Sequence, residues 1–363
     1  MTPEQVMTAA IWGVFQQGYT RGFGADADHL KTIADLDDVI SAGYTFYTCD
    51  PGDHVDDRAA TLSGDELRHE FERLEGHEEL RAEYLERRFE IRDPKDGRVL
   101  QFEFSVEDLR RTAVKYYRAV RHAIVMYREL ANRLREFDYE VSVDETDSPT
   151  TPLEHFFIAR ELRRAGVSFV GLALRFVGEF QKGIDYIGDL NDLDKQLQAH
   201  ATITRAVGPY RISVHSGSDK LSSYPLFRKR FGTLFHVKTA GTSYLEALHM
   251  LALDEPQFFR DIYRFALTRY DDDKRTYHVT QHPEVPHIET VPDEQLAGLF
   301  GQNDVRQLLH VTYGSVLNRR DEEGKKSFRE RLLKALNHHE ERYSDLLKEH
   351  FKRHLDPLES EQG

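Results

Sequence analysis

The sequence has little cysteine and no long hydrophobic run. Among 363 residues there is one cysteine, Cys49, so no internal disulfide can form. The longest apolar stretch near the middle of the chain begins at Val167 and is interrupted by Arg175. That stretch is well short of the ~20 residues that a bilayer-spanning helix needs. We therefore expect no membrane-spanning segment.

Basic residues are also fewer than acidic residues. The 49 Lys and Arg residues face 63 Asp and Glu residues, which gives a formal net charge of -14. Such a chain on average repels nucleic-acid backbones and anionic membranes, so we expect neither as a partner. The N-terminus lacks the basic segment and apolar run of a secretory signal, and the sequence therefore predicts a cytoplasmic protein.

Short segments rich in β-branched and aromatic residues alternate with helical stretches along most of the chain. After an amphipathic helix at residues 3–18, seven strands are predicted, at residues 19–26, 43–50, 139–145, 167–175, 210–215, 233–238 and 308–313. Helices are predicted between them, for example at residues 153–165 and 190–207. This alternation is typical of a parallel sheet with helices outside it. The predicted fold class is α/β, a TIM-like (β/α) barrel.

Residues 56–138 depart from this alternation. Long charged helices at residues 65–87 and 106–137 flank a hairpin in which residues 88–92 pair with residues 99–104. We interpret the segment as a helical and hairpin insertion between the barrel start, residues 1–55, and the rest of the barrel, residues 139–324. A charged helix and tail follow at residues 325–363. The charged faces indicate solvent exposure, with an oligomer contact or an active-site cap as the alternative.

Polar side chains end all seven predicted strands. Residues two apart share one face of a strand, and catalytic residues of α/β barrels come from the C-terminal strand ends. The polar ends are Asp26 and Asp28, Thr48 and Asp50, Ser142 and Asp144, Arg175, Ser213 and His215, His236 and Lys238, and His310 and Thr312. Because barrel interiors are normally filled by branched apolar side chains, this coincidence predicts an active site.

Three of these side chains, together with Glu145, are candidates for a metal site. Asp144, Glu145, His215 and His236 offer carboxylates and imidazoles from three strands, a mixture that zinc, manganese, nickel and cobalt all accept. Glu145 lies on the opposite strand face from Asp144, so it can turn inward only if the strand ends there. A hydrogen-bonded interior histidine is the alternative for each imidazole.

Two loops have the composition of a sugar-acid site. The loop at residues 216–220, which contains Ser218, Asp219 and Lys220, offers hydroxyls, backbone N–H groups of a glycine turn and a cation, and the segment at residues 238–242 repeats this composition. Arg175 at a strand end requires an acidic partner or a substrate carboxylate. Beyond it, Glu179 and Asp185 offer a second acid group.

Other reactive residue types are interpreted as structural. His350 and His354 are four residues apart on a predicted helix, and we expect both to be solvated. Cys49 precedes a strand-end aspartate, but without a Cys-His-Asn pattern a packed thiol is favoured over a nucleophile.

Long segments in this sequence resemble the tagaturonate/fructuronate epimerases of bacterial hexuronate catabolism. They are residues 22–31, 49–53, 142–147, 150–155, 175–178, 185–189, 215–220 and 236–244, within a resemblance that extends from Trp12 to Tyr313. The resemblance implies a metal-dependent epimerase of keto-uronates, with Asp144 as proton acceptor and Glu145, His215 and His236 as metal ligands. We assign Glu179 as the second catalytic acid. The predicted substrate-binding residues are Asp28, His29, Asp50, Arg175, Ser218, Asp219, Lys220, Lys238 and His310.

One departure from the family pattern concerns the first strand. The family carries a further N-terminal region that contains the first barrel strand, whereas this chain begins on the helix after it, in agreement with seven predicted strands. The expected partner is a small keto-uronate, with a homo-oligomer left open. The alternatives are another metal-dependent sugar isomerase or aldolase, and a degenerate barrel that binds a sugar acid without turnover.

Overall fold

A computed structural model describes residues 2–239, 242–276, 279, 282–321 and 327–359. The chain divides into two compact units. The first comprises Met1–Val177, Asn191–Val214 and Arg230–His236, and the second comprises Gly178–Leu190, His215–Lys229 and Val237–Gly363. None of the helices in these described ranges combines the length and apolar character needed to cross a membrane.

Eight strands occur in the described part of the chain. They are β1 (Asp26–Leu30), β2 (Phe46–Cys49), β3 (Arg88–Arg92), β4 (Val99–Glu103), β5 (Asp138–Val143), β6 (Gly171–Leu174), β7 (Arg211–Val214) and β8 (Phe235–Val237). Six of them form one sheet in the order β1-β2-β5-β6-β7-β8, and β3 and β4 form a separate antiparallel hairpin. The pairings from β1 through β7 are parallel. The fold is therefore α/β, as predicted.

The six-stranded sheet is curved into a half-barrel. In the sheet order, β6 and β7 lie between β5 and β8. Even so, the ring of His236 on β8 reaches Glu140 on β5 and packs edge-on against Phe46 on β2, with ring centroids 6.0 Å apart. Side chains of such distant strands can meet only on the concave face of a strongly curved sheet.

Helices account for most of the remaining described residues. They are α1 (Pro3–Gln16), α2 (Asp35–Ser41), α3 (Gly64–Glu72), α4 (His77–Tyr84), α5 (Val106–Arg133), α6 (Pro152–Arg164), α7 (Leu190–Val207), α8 (Tyr224–Phe231), α9 (Thr242–Asp254), α10 (Pro256–Asp273), α11 (Asn303–Val311), α12 (Tyr313–Asn318), α13 (Ser327–His338) and α14 (Glu340–Glu359). The starts of α1, α3, α5 and α6 are capping boxes, in which a Ser or Thr hydroxyl and the side chain three residues later satisfy each other's backbone N–H groups.

The elements predicted within residues 56–138 form, with one difference. The hairpin forms as expected, and α5 continues to Arg133. The single helix predicted at residues 65–87 is instead two helices, because Gly76 adopts the left-handed φ of 86° between α3 and α4. A left-handed residue interrupts the helical hydrogen bonds, and glycine adopts it without steric cost.

A buried ion pair anchors the hairpin. Asp93 follows β3 and is 1 % exposed, and its carboxylate accepts hydrogen bonds from Nε of Arg205 at 2.8 Å and from the Thr202 hydroxyl at 2.9 Å, both on α7. Burial alone would raise the pKa of Asp93, but these bonds outweigh it and lower the pKa to about 2. The hairpin is therefore tied to α7 by a charged contact that excludes water.

The second unit has its own apolar core. Buried side chains of α9, α10 and α11 form one cluster, which includes Leu248, Phe258, Tyr263 and Leu308. Phe328 of α13 also belongs to this cluster. The aromatic rings of Phe258 and Phe328 meet at a centroid distance of 5.9 Å. These contacts make the core of the second unit a helical one.

Two strand predictions were wrong. Residues 308–313 are not a strand, because α11 spans Asn303–Val311. Val305, Leu308 and Leu309 are buried at helical spacing, whereas the run from Leu308 alone fits either structure. The first strand is Asp26–Leu30 and not residues 19–26, since Gly22 and Gly24 disfavour extended structure ahead of it. The helix predicted from residue 325 is also divided, into α13 and α14.

We predict that Asp93→Asn lowers the free energy of unfolding by about 3 kcal/mol, because it leaves the Arg205 guanidinium buried without its countercharge. Urea denaturation followed by circular dichroism measures the change. Asp96→Asn is the matched control. Asp96 accepts a hydrogen bond from the backbone N–H two residues later, but its side chain is 45 % exposed. Equal stability of the two variants would contradict a structural role for the Asp93–Arg205 pair.

Candidate active site on the half-barrel sheet

A line of polar side chains crosses the concave face of the sheet in the first unit. Glu140 on β5 is fully buried, and its carboxylate lies 2.9 Å from Nε2 of His236. On the other side, the hydroxyl of Thr48 is 3.5 Å from Glu140 and donates a hydrogen bond to Asp26 at 3.0 Å. The hydroxyl of Ser213 lies 2.8 Å from Nε2 of His236. A carboxylate at this depth requires such partners, because an unpaired buried charge is very costly.

Room for Glu140 comes from the neighbouring strand. Gly171 on β6 is the residue paired with Glu140 across the ladder. A Cβ atom added to Gly171 would lie 2.2 Å from Oε2 of Glu140, a distance that no real pair of atoms adopts. A glycine is therefore needed at this position for the Glu140 carboxylate to occupy the concave face.

Charged groups gather at the ends of β1 and β2. His29 adopts a left-handed φ of 57°, and its Nδ1 lies 3.2 Å from the buried carboxylate of Asp50. The hydrogen bond to Asp50 is the main cause that raises the pKa of His29, and the charge of Asp28 adds to it. Lys31 is 3.6 Å from the same Asp50 carboxylate. This cluster holds three of the predicted substrate-binding residues: Asp28, His29 and Asp50.

The predicted proton acceptor and its neighbour lie just beyond β5. The strand ends at Val143, which meets the condition under which Glu145 was expected to turn inward. Asp144 is half-buried and accepts a hydrogen bond from the Ser142 hydroxyl, and its charge contributes to the raised pKa of His29. Glu145 is exposed, and its charge contributes to the raised pKa of Lys31. Both carboxylates therefore lie near the ends of β1 and β2.

The remaining predicted residues lie in different places. Arg175 follows β6 in the first unit and is half-buried. The second unit contains Glu179, His215, Ser218, Asp219, Lys220, Lys238 and His310. Of these, His310 lies on α11 and not at a strand end, and burial, together with the charge of Lys182, lowers its pKa to about 4. It is therefore a neutral, buried imidazole at physiological pH.

Lys220 has a structural environment that its sequence context did not indicate. Its side chain is fully buried, and the ammonium group donates to the backbone carbonyls of Gln181, Ile184 and Ser218. Burial lowers its pKa to about 7. Because an ammonium has three donors, these contacts use all of them. The geometry makes Lys220 a brace between two loops of the second unit, and its role in substrate binding stays a prediction.

Two interpretations of non-catalytic residues can be checked directly. Cys49 is 1 % exposed, and burial raises its pKa to about 12, so it is a packed thiol as expected. The expectation that His350 and His354 are solvated was wrong, since they are 1 % and 5 % exposed. Both rings face the second unit's interior from α14, where Glu246 on α9 lies 3.1 Å from His350.

Sequence reasoning missed Glu140. The search for catalytic residues followed the C-terminal strand ends, whereas Glu140 lies near the start of β5. A signal was present, because Glu140 precedes Ser142 and Asp144 at intervals of two and must share their face. The small residues Gly171 and Ala173 face this row from β6.

The donor atoms in the first unit suit a divalent metal. Imidazole nitrogen and carboxylate oxygen are available at His236 and Glu145. The Glu140 carboxylate beside Nε2 of His236 is the kind of partner that orients a metal-binding imidazole and leaves its other nitrogen for the ion. At the sheet end, Asp28 lies 3.7 Å from Nε2 of His29 and offers a second donor pair.

We predict that Gly171→Ala lowers the free energy of unfolding by about 1 to 3 kcal/mol, because the added methyl group must displace the Glu140 carboxylate from His236. Thermal and urea unfolding measure the effect. Gly13→Ala is the control, since a Cβ atom at that position in α1 meets nothing within 4 Å. A Gly171→Ala protein as stable as the Gly13→Ala protein would show that the carboxylate does not need this space.

Comparisons with known proteins agree on one family. The model of the family described as UxaE, tagaturonate epimerase, matches residues 1–358. The tagaturonate/fructuronate epimerase of Thermotoga maritima is 46 % identical over 359 residues, which are 99 % of this chain and 72 % of that protein. Two crystal structures of the fructuronate-tagaturonate epimerase UxaE from Cohnella laeviribosi, one native and one with two glycerols, are 37 % identical with TM-scores of 0.91. They cover 96 % and 97 % of this chain, and it covers 71 % and 72 % of theirs. The chain belongs to the UxaE tagaturonate epimerase family.

Proposed function

We propose that this chain is an epimerase that interconverts D-tagaturonate and D-fructuronate, with the half-barrel sheet as part of a TIM-like (β/α) barrel. The observation that carries the proposal is the contact between the buried Glu140 carboxylate and His236 on the concave face of the sheet. A purely structural sheet would fill this face with branched apolar side chains. The relatives that bear this activity in their names match almost the whole chain, and they support the same conclusion.

The substrates determine what chemistry is required. The two keto-uronates differ at one hydroxyl-bearing carbon, which is β to the ketone. The C–H bond at that carbon is not acidified by the carbonyl, so simple enolisation cannot invert the centre. The enzyme must either break and reform a carbon–carbon bond or remove the proton directly.

In the first route, the bond between the inverted carbon and its neighbour α to the ketone breaks. Asp144 accepts the proton of the hydroxyl on the inverted carbon, and the electron pair of the O–H bond forms an aldehyde C=O. The electrons of the broken carbon–carbon bond move onto the ketone oxygen as an enediolate. The aldehyde rotates, the bond reforms on its other face, and Asp144 returns the proton to the new alkoxide.

In the second route, two acids act on opposite faces of the carbon. Asp144 removes the C–H proton from one face, and Glu179 supplies a proton to the other. In either route Arg175 is our choice for holding the substrate carboxylate, since a guanidinium binds a carboxylate through two parallel hydrogen bonds. The ammonium of Lys220 is engaged by backbone carbonyls, which makes Arg175 the better choice of the two.

A divalent metal ion completes the proposal. We propose Glu145, His215 and His236 as its ligands, and zinc, manganese, nickel and cobalt all fit this donor set. When bound, the ion would supply Lewis-acid stabilisation of negative charge on substrate oxygen. Within the chain, Glu140 holds the His236 ring in position, and the hydrogen bond to Asp50 raises the pKa of His29 at the sheet end.

We predict that purified enzyme interconverts the two keto-uronates and that Glu145→Ala and His215→Ala each lose activity together with one equivalent of bound metal. Asp144→Asn should retain this metal but reduce kcat by about 10²- to 10⁴-fold, the range expected for loss of a general base. Nuclear magnetic resonance of the product mixture and elemental analysis of the protein provide the two measurements.

Asp53→Asn is the matched control for these variants, because its carboxylate also contacts Lys31 but is 75 % exposed. We expect it to keep both metal and activity. Full metal content in Glu145→Ala and His215→Ala would remove those ligands from the proposal. Wild-type activity of Asp144→Asn would remove the proton acceptor.

An isotope experiment separates the two routes. In deuterated water, bond cleavage predicts no deuterium at the inverted carbon, because its C–H bond stays intact throughout. Direct proton transfer predicts deuterium at that carbon in the product. Mass spectrometry and proton resonance of the isolated epimer measure the label, and chemical trapping of a triose-sized aldehyde supports cleavage. Deuterium at the inverted carbon without a trapped fragment would exclude the first route.

A further inference from the structure

Two histidines on the C-terminal helix and one aspartate of a loop converge inside the second unit. His350 and His354 are one turn apart on α14, with ring centroids 4.4 Å apart, and they are 1 % and 5 % exposed. Asp219 lies between β7 and α8 with a left-handed φ of 62°. One ligand atom from each of these three residues lies within 4.8 Å of the others.

Each imidazole is oriented through its Nδ1 atom. Nδ1 of His350 lies 3.1 Å from the buried carboxylate of Glu246 on α9, and Nδ1 of His354 lies 2.9 Å from the carbonyl oxygen of His350. The backbone N–H of Asp219 donates to Nε2 of His354, so the proton of that ring lies on Nδ1. A proton on Nδ1 of His350, facing the Glu246 carboxylate, likewise leaves a lone pair on Nε2. This is the arrangement that orients metal-binding histidines, in which a carboxylate or a backbone carbonyl fixes the tautomer.

Both ring nitrogens of His350 lack a hydrogen-bond partner among the described residues, although the side chain is only 1 % exposed. Nδ1 has the ion-pair contact with Glu246, and Nε2 is left without a donor or an acceptor in the described part of the chain. Nε2 of His354 accepts only the backbone N–H of Asp219, at 2.9 Å. Buried polar atoms are nearly always satisfied, so an unpartnered lone pair at this depth indicates a missing ligand.

The aspartate is also prepared for ligation. Arg306 on α11 lies 2.9 Å from Oδ2 of Asp219, which leaves Oδ1 directed toward the histidines, 4.0 Å from Nε2 of His354. The guanidinium places a positive charge beside this carboxylate. With Glu246, which contacts His350, the cluster contains two carboxylates. Arg306 is in direct contact with one of them, Asp219.

We propose that Asp219, His350 and His354 form a second metal site, which takes Zn²⁺ and joins the C-terminal helix to the loop at residues 216–220. Two histidines at i and i+4 on one helix with a carboxylate from elsewhere are a frequent zinc-binding arrangement. Tetrahedral zinc separates its ligand atoms by about 3.4 Å, so the three donors must move closer together. The ion replaces the hydrogen bond from the Asp219 N–H to His354, and a water molecule takes the fourth position.

This site shares no residue with the ligand set proposed for the epimerase reaction. Its two histidines come from the last helix of the chain, and none of its residues is assigned to proton transfer. Its expected role is structural, because it fixes a loop that begins just after His215. Metal at this site therefore raises stability whether or not the proposed ion is bound by Glu145, His215 and His236.

The test uses the full chain, stripped with chelator and titrated with Zn²⁺ alone. Elemental analysis gives the stoichiometry, and the melting temperature gives the effect on stability. We expect His350→Gln and His354→Gln each to bind one equivalent less than the parent chain and to lose the zinc-dependent rise in melting temperature. Glutamine preserves a hydrogen-bonding side chain but is a poor zinc ligand, so these variants should still fold. Titration with Co²⁺ adds an absorption band of tetrahedral cobalt as an independent signal.

His338→Ala is the matched control, since this exposed histidine lies on the neighbouring helix α13. The same titration in a His236→Ala background separates the two sites. If only the proposed reaction site failed, that background would keep the zinc that depends on His350 and His354. Zinc stoichiometry and melting shifts of His350→Gln and His354→Gln equal to those of His338→Ala would overturn the second site.

Discussion

The concave face of the sheet depends on one buried carboxylate and its imidazole partner. Glu140 is fully enclosed, and a carboxylate in such a place is tolerated only with a hydrogen-bonding or charged partner. His236 on the strand at the far edge of the sheet supplies it. The contact therefore requires the sheet to curve, and it requires glycine at position 171 so that the carboxylate has room. The contact between Glu140 and His236 therefore accounts for the curvature of the sheet, the glycine at position 171 and the polar side chains on the concave face.

Charges at the strand ends complement this interior pair. Lys31 places positive charge close to Asp50 and Glu145, and the pKa of His29 is raised mainly by its hydrogen bond to Asp50, with a smaller contribution from Asp144. The Glu140–His236 contact within the sheet and the charged groups at the sheet end have different roles. The contact fixes the geometry of the concave face, whereas the exposed side chain of Lys31 at the sheet end is accessible to an anionic sugar.

Much of the sheet could be predicted from the sequence, because period-two patterns and flanking helices identify parallel strands. Residues 43–50 and 139–145 contain β2 and β5, and the hairpin pairs as expected. The strand at residues 308–313 failed for a local reason, since a short apolar run cannot distinguish a strand from a buried helix turn. The helix break at Gly76 was missed because it depends on the left-handed φ of that residue, which the surrounding charged residues do not indicate.

Side-chain environments were harder to predict than elements. The residue type of Lys220 and its loop suggest a substrate ligand. Its ammonium instead donates to the backbone carbonyls of Gln181 and Ile184, which lie in a loop far from Lys220 in the sequence. The same limit applies to Glu140, whose value as a site residue depends on a partner on another strand. In each case the residue type indicates that a buried charge needs a partner, and only the tertiary structure shows which group is that partner.

His350 and His354 are the opposite case, because the sequence suggests solvent exposure whereas the structure buries both side chains. On a helix rich in charged residues, histidines at i and i+4 are consistent with solvent exposure, and nothing within α14 argues against it. His350 contacts Glu246 on α9, whose own pKa is lowered to about 2 because its contacts with His249 and His350 outweigh the effect of burial. A buried carboxylate is tolerated only with such partners, and one of them comes from α14. Because the partner of His350 lies on another helix, about a hundred residues earlier in the chain, the sequence of α14 alone does not indicate that its histidines are buried.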